Sequence, residues 1–177
     1  MSKCVTCGHE LPSEESPCAH CGSPNYLRVA QALIKDEWIN KKFFDWSLAV
    51  FLRDKLRCVY CGKDMLESYD VTHTGSAMDH LLPISKYPEL DSPWNIVLAC
   101  RVCNSLKGAW DPNPNDPPLY FQGCLPDGAV RAKLLKRAKD YLQPRRQTLE
   151  AKFQGEQEAI RQALRSLRDG LSTTAAK

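Results

Sequence analysis

Cys58-Val-Tyr-Cys61-Gly62, then Asp79-His80-Leu-Leu-Pro83, then Trp94-Asn95-Ile-Val-Leu-Ala-Cys100-Arg-Val-Cys103-Asn104-Ser-Leu-Lys107-Gly108 are three parts of one stretch that decides the fold. Two Cys-x-x-Cys pairs bracket a histidine and two asparagines. Four thiolates in two such pairs suit tetrahedral zinc, so Cys58, Cys61, Cys100 and Cys103 are expected to hold a structural Zn²⁺. A redox dithiol and four unrelated buried thiols are the competing readings, and the repeated spacing favours zinc. The pairs are separated by 38 residues, more than a plain zinc ribbon needs, so the insert must build something of its own.

Inside the insert, Val71, Met78, Leu81, Leu82 and Ile84 flank Asp79-His80, which predicts a strand or hairpin with a polar pair at its end. A histidine can be neutral near pH 7 and take a proton from water. An aspartate offers hard oxygens to a divalent metal. Asn104 directly follows the last cysteine, so zinc geometry would fix where its amide oxygen points. Lys107, one helical turn further on, is placed to face a phosphate. These are the parts of metal-assisted phosphodiester hydrolysis, in which a cation stabilises the scissile phosphate and a base activates water.

On these residues, positions 45–110 resemble the HNH nuclease domain of the ββα-metal kind, with the four-cysteine staple that many members carry. The resemblance implies an α+β fold: a small, treble-clef-like ββα-metal core with flanking helices. It implies His80 as general base, Asp79 and Asn104 as ligands of a catalytic divalent ion, and Asn95 as the central asparagine that braces the loop and the orientation of His80. It implies DNA as substrate. The family's last residue is often histidine. Asn104 puts an amide oxygen there, which favours Mg²⁺ or Mn²⁺ over softer ions. Small free-standing chains similar to this one occur in restriction, phage-related and antiviral defence settings. A lone site of this kind generally serves one strand, so a double-strand break would need two copies.

Net charge is only +3 over 177 residues, but its distribution is uneven. Eleven basic residues face four acidic ones between Arg131 and Arg168. Eight of the nine cysteines fall into Cys-x-x-Cys pairs, which points to metal and a reducing compartment rather than disulfides; Cys124 is left over. No apolar run approaches a membrane span and the N-terminus has no apolar signal core, so a soluble cytoplasmic protein with no membrane partner is expected.

Working outward, residues 1–24 carry Cys4-Val-Thr-Cys7-Gly8 and Cys18-Ala-His-Cys21-Gly22, a second four-cysteine Zn²⁺ site resembling a separate zinc ribbon. It is too small to bury a core, so metal would supply its folding energy, on the order of 10 kcal/mol. His9 and His20 read as bystanders. What the ribbon touches stays open: nucleic acid, a partner protein or the nuclease domain. Residues 25–57 form a helical lead-in, with Leu27, Ala30, Ile34 and Trp38 on one face and Leu48, Leu52 and Leu56 on a second helix capped by Asp45. Trp38, Phe43, Phe44 and Trp46 read as an aromatic core before they read as a base-stacking surface. Arg53, Lys55, Arg57 and Arg101 are candidate phosphate contacts, with plain solvent exposure as the alternative, and His73 is read as a strand or loop residue. Trp94, Ile96 and Leu98 alternate as one buried face of a short strand.

After the nuclease core at 58–110, residues 111–127 form a proline-rich coil. Residues 128–177 then carry helices. Val130, Leu134, Ala138 and Tyr141 share one face; Pro144 breaks or restarts the helix; Leu149, Phe153, Ile160, Leu164, Leu167 and Leu171 follow in near-heptad steps. Residues 172–177 read as frayed. Three functions remain in play. The first is a DNA endonuclease. The second is a non-catalytic zinc-ribbon adaptor for nucleic acid or protein. The third is a nuclease subunit active only with a partner, engaged as a homodimer or larger assembly through the ribbon or the last helix.

Overall fold

The computed structural model describes residues 3–11, 17–33, 45–116, 118–120 and 128–174. The order is α1 (Tyr26–Leu33), α2 (Asp45–Arg53), β1 (Ser76–His80), β2 (Ile96–Cys100), α3 (Arg101–Lys107) and α4 (Gly128–Thr174). Two compact units divide the chain, residues 1–142 and residues 143–177.

In the first unit, the Cys58 knuckle is a tight turn: Cys58 N donates to Lys63 O at 2.9 Å and Gly62 N to Cys58 O at 2.8 Å. Gly62 has φ +76°, a left-handed conformation that costs a glycine little. Cys4–Gly8 and Cys18–Gly22 repeat the same pair of bonds. β1 and β2 pair antiparallel, with Asp79 opposite Val97 and His80 opposite Ile96. α3 starts directly from Cys100, whose Sγ accepts from Cys103 N at 3.4 Å. A knuckle, a hairpin and a helix therefore share one four-cysteine cluster, the ββα-metal arrangement.

Two sequence expectations change here. Val71 lies in a π-helical turn, Val71–Gly75, ahead of β1 rather than in the strand. β2 is buried on both faces, from Ile96 at 7% exposed to Leu98 at 0%, instead of alternating. A strand covered on both sides reads as a continuous apolar run. Leu81, Leu82, Trp94, Val97, Leu98, Phe51, Met65 and, from α4, Leu134, Ala138 and Leu142 share its core. The α4 face expected from Val130, Leu134, Ala138 and Tyr141 is present, with Val130 and Tyr141 half-buried.

The ribbon rests on the lead-in helices. Val5 packs with Ala30 of α1 and with Leu48 and Ala49 of α2. Arg53 then ties the pieces together. Its guanidinium donates to both Asp54 oxygens at 2.8 Å, to Val5 O at 2.5 Å, to Pro93 O at 3.0 Å and to Ile96 O at 2.6 Å. Those bonds use all five of its N–H groups. Arg53 was a candidate phosphate contact; it is 8% exposed and its donors are committed to carbonyls and Asp54, so it is a structural hub. Asp54 also accepts from Leu98 N at 2.8 Å, and Arg131 donates to Trp94 O at 3.2 Å. Burial, with the nearby Arg53 charge, lowers the Arg131 pKa to about 10.

α2 stops at Arg53 because the next residues leave helical space. Lys55 and Leu56 both have φ +56°, which costs on the order of 1–3 kcal/mol for a residue other than glycine. Leu56 is held there by Leu56 N to Phe51 O at 2.8 Å and Met65 N to Leu56 O at 2.9 Å. Ile34, Trp38, Phe43, Phe44, Cys124 and Pro126, and the Asp45 side chain expected as a cap, lie outside the described residues.

Between residues 110 and 120 the expected coil is organised by Asn113. Its amide nitrogen donates to Tyr87 Oη and Tyr120 O, both at 3.1 Å, and its oxygen accepts from Leu119 N at 2.7 Å and Tyr120 N at 2.9 Å. Pro144 does not end the helix as its sequence suggests. It lies inside α4, a 47-residue helix. Losing one N–H and accommodating the ring costs about 3 kcal/mol, and several turns rich in Ala, Leu, Lys, Arg, Gln and Glu flank it on each side. In the second unit, Leu149, Phe153, Ile160, Leu164 and Leu167 are exposed.

Candidate active site

Asp79 and His80 close β1, and their environments differ. Asp79 is 6% exposed. Tyr60, within the first cysteine pair, donates its hydroxyl to Asp79 Oδ2 at 2.5 Å. Lys107 Nζ approaches Asp79 Oδ1 at 3.3 Å and donates to His80 O at 2.6 Å. Burial pushes the Asp79 carboxyl above the ordinary carboxylate range, while the Lys107 charge and the Tyr60 and Lys107 hydrogen bonds pull it back. Burial and the neighbouring Asp79 charge push the Tyr60 phenol well up, so it stays a neutral donor.

Lys107 corrects an expectation. The sequence placed it facing a phosphate, but its side chain is 1% exposed. α3 packs against β1, which carries the ammonium to Asp79 and to the His80 carbonyl. A buried ammonium needs such partners, because an unpaired charge there is costly.

The His80 ring is 28% exposed, with Nε2 3.1 Å from Asp91 Oδ1. Behind it, Asn95 is fully buried. Its Oδ1 accepts from Leu82 N at 2.9 Å, and its Nδ2 donates to Leu82 O at 2.9 Å and Leu90 O at 3.1 Å. Leu81 N also donates to Asn95 O at 2.8 Å. The asparagine thus fixes the backbone immediately after His80. Asn104 is half-buried on α3, and among the described residues its side-chain amide makes no hydrogen bond. Arg101 is exposed at the start of α3. Arg57 is exposed too, bonded to Gly62 O and Asp64 Oδ2 at 3.2 Å each. A surface pair of that kind is worth ~0–1 kcal/mol and is easily exchanged. His73 stacks on Tyr69, ring centroids 3.9 Å apart, and is exposed.

Both cysteine tetrads bring their sulfurs within 4.8 Å of one another. Individual Sγ–Sγ separations are 3.8 Å for Cys4–Cys21, 3.5 Å for Cys7–Cys18 and 3.8 Å for Cys61–Cys100. Zn–S bonds of about 2.3 Å give a tetrahedron with edges of about 3.8 Å. The two clusters fit zinc sites. His9 and His20 stack beside the first cluster at 3.6 Å without entering the sulfur set.

A cysteine knuckle, a two-stranded hairpin bearing Asp-His and a helix bearing Asn-x-x-Lys together form a ββα-metal core. Residues 58–109 match the family described as HNH endonuclease. The family acts on nucleic acid. No curated protein and no solved structure matches the chain. No helix among the described residues is long and apolar enough to cross a membrane.

Sequence reasoning did not single out Tyr60 or Asp91 as parts of the site, and it did not foresee the structural Arg53–Asp54 pair. Tyr60 had one signal, a phenol between the two cysteines of a Cys-x-x-Cys pair. Asp91 had none, because its relation to His80 depends on a loop closing.

Proposed function

We propose that this chain is a metal-dependent DNA endonuclease in which His80 is the general base and Asp79 and Asn104 hold a catalytic divalent ion. One observation carries the reading. Asp79 and His80 stand side by side at the end of β1, and Asn95 bonds across to the backbone that follows them. The donor set fits Mg²⁺ or Mn²⁺: a carboxylate whose oxygens each keep a lone pair beyond Tyr60 and Lys107, and an amide without a partner among the described residues. When bound, that ion would supply charge stabilisation at the scissile phosphate.

The chain's own residues supply the rest. His80 accepts the proton of the attacking water, a role commonly worth 10²–10⁴-fold. Asn95 keeps the His80 loop from drifting. Lys107 and Tyr60 fix Asp79 on both oxygens. Arg57 and Arg101 are exposed cations available to backbone phosphates, and the nine basic residues from Lys133 to Arg165 add a salt-sensitive attraction to DNA.

The test is nicking of supercoiled plasmid by zinc-loaded protein with added Mg²⁺ or Mn²⁺, using Asp79→Ala and Asn104→Ala as comparisons. Unchanged cutting with an unchanged metal requirement in either variant would remove that residue from the ion site. A second reading is favoured by the exposed Leu149, Phe153, Ile160, Leu164 and Leu167 of the second unit. It makes the chain a nuclease subunit that works in a homodimer or with a protein partner; sedimentation of the purified chain tests the homodimer, and co-purification of a stable partner tests the other assembly.

A further inference from the structure

We propose that Asp91 is a positioning residue for His80: its carboxylate holds the imidazole with hydrogen on Nε2, leaving Nδ1 as the acceptor for the proton of water. The proposal rests on His80 being the general base, and it deepens that reading.

Chemistry fixes the direction of the bond. A carboxylate only accepts, so a contact of 3.1 Å between Asp91 Oδ1 and His80 Nε2 requires the hydrogen on Nε2. A neutral imidazole with Nε2–H has its lone pair on Nδ1. The nitrogen that faces no protein carboxylate is then the basic one. The same division of labour, an acid that sets the tautomer and a histidine that moves the proton, operates in hydrolytic triads.

The loop carrying Asp91 is built to hold that position. Asp91 directly follows the 3₁₀ turn Pro88–Leu90. Leu90 is buried, its nitrogen donates to Tyr87 O at 3.0 Å, and its carbonyl accepts from Asn95 Nδ2 at 3.1 Å. On the other side of Asp91, Ser92 N donates to Leu90 O at 2.8 Å and Asn95 N to Ser92 O at 3.0 Å. One residue earlier than the buried Leu90, Glu89 accepts from the Tyr120 hydroxyl at 3.0 Å. His80 itself is anchored opposite Ile96 and through its carbonyl to Lys107. Both partners are thus set by the same asparagine: Asn95 ties the chain two residues after His80 and one residue before Asp91. Their approach is therefore a product of the buried scaffold, although the Asp91 side chain is 70% exposed.

The exposure makes the test clean, because substitution at Asp91 removes no buried contact. Zinc-loaded native protein, Asp91→Ala and Asp91→Glu would be labelled with ¹⁵N. The His80 ring would be read by long-range proton–nitrogen correlation at about pH 8, above the ordinary histidine range. Single-turnover plasmid cleavage would be measured alongside. The native ring is expected as the Nε2–H tautomer. Asp91→Ala should give a mixture of tautomers, with the cleavage rate down on the order of 10- to 100-fold and KM little changed. Asp91→Glu should recover part of both. A native ring found as Nδ1–H, or an Asp91→Ala variant with unchanged tautomer and rate, overturns the proposal. A native Nε2–H ring that becomes a mixture in Asp91→Ala, with no cleavage by either protein, supports the Asp91 pairing and overturns only the nuclease reading beneath it.

Discussion

Lys107 Nζ lies 3.3 Å from Asp79 Oδ1, with side chains 1% and 7% exposed, so the residue expected at a phosphate is instead the buried counter-charge of the expected metal ligand. Removing one partner of a buried pair strands the other. Lys107→Met should therefore destabilise the zinc-loaded protein by about 3–5 kcal/mol in urea unfolding. A loss under 1 kcal/mol, read with unchanged zinc content, would show that Asp79 is adequately solvated without the lysine.

Burial raises the Asp79 pKa, and that has a consequence for metal binding. A protonated carboxyl does not ligate a cation, so affinity is lost as pH falls through the folded pKa. Loss should begin at a higher pH than the ~3.9 of an exposed aspartate and steepen toward tenfold per pH unit below the shifted value. Mn²⁺ titration followed by electron paramagnetic resonance would show this in the native chain. Asp79→Asn should bind weakly with a flat profile over the same range. Identical profiles for the two would remove Asp79 from the ion site.

Asn95→Ala leaves Leu82 N, Leu82 O and Leu90 O without their buried partner. Each orphaned group costs about 1–3 kcal/mol, less where water can enter. A net loss of at least about 2 kcal/mol is expected, with faster amide exchange at Leu82. Exchange at Leu82 as slow as in the native chain would mean that the loop is fixed by other contacts.

Arg53→Lys keeps the charge and loses the fork. An ammonium has three donors against the five that Arg53 uses, and it cannot reach Asp54 in bidentate form. The contact with Val5 O links ribbon to core. Limited proteolysis should cut the variant within residues 1–24 sooner than the native chain, while residues 58–109 stay protected. Equal rates of cutting would show that Val5 packing alone holds the ribbon.

The two zinc clusters should fail separately. Cys58→Ser removes a ligand from the cluster that α3 and the hairpin share, so loss of one zinc and of the helical signal is expected. Cys4→Ser should lose one zinc and leave the nuclease core folded. Retention of both metals in either variant, measured by mass spectrometry under native conditions, contradicts the assignment.

Much of the nuclease core was legible because its constraints are local. Cysteine spacing names a tetrahedral metal, a glycine after each knuckle marks the left-handed turn, and Asp-His beside an apolar run marks a strand end. α3 could be read because it starts from a cysteine. What the sequence hid depends on contacts distant in the chain. Arg53 looks like a surface cation until Val5, 48 residues earlier, and Ile96, 43 residues later, close around it. Lys107 looks like a phosphate contact until α3 packs on β1. β2 looks half-exposed until both its faces are covered, and Pro144 looks like a stop until the helix-forming residues around it outweigh it.

The most direct measurement is single-turnover nicking of supercoiled plasmid in Mg²⁺ or Mn²⁺ by zinc-loaded native protein and by His80→Ala, with folding checked by circular dichroism. We expect metal-dependent nicking by the native chain and a rate at least ~10²-fold lower in the variant, the smaller end of a general base's contribution. A folded His80→Ala protein that nicks at the native rate would contradict the assignment of His80 as the base.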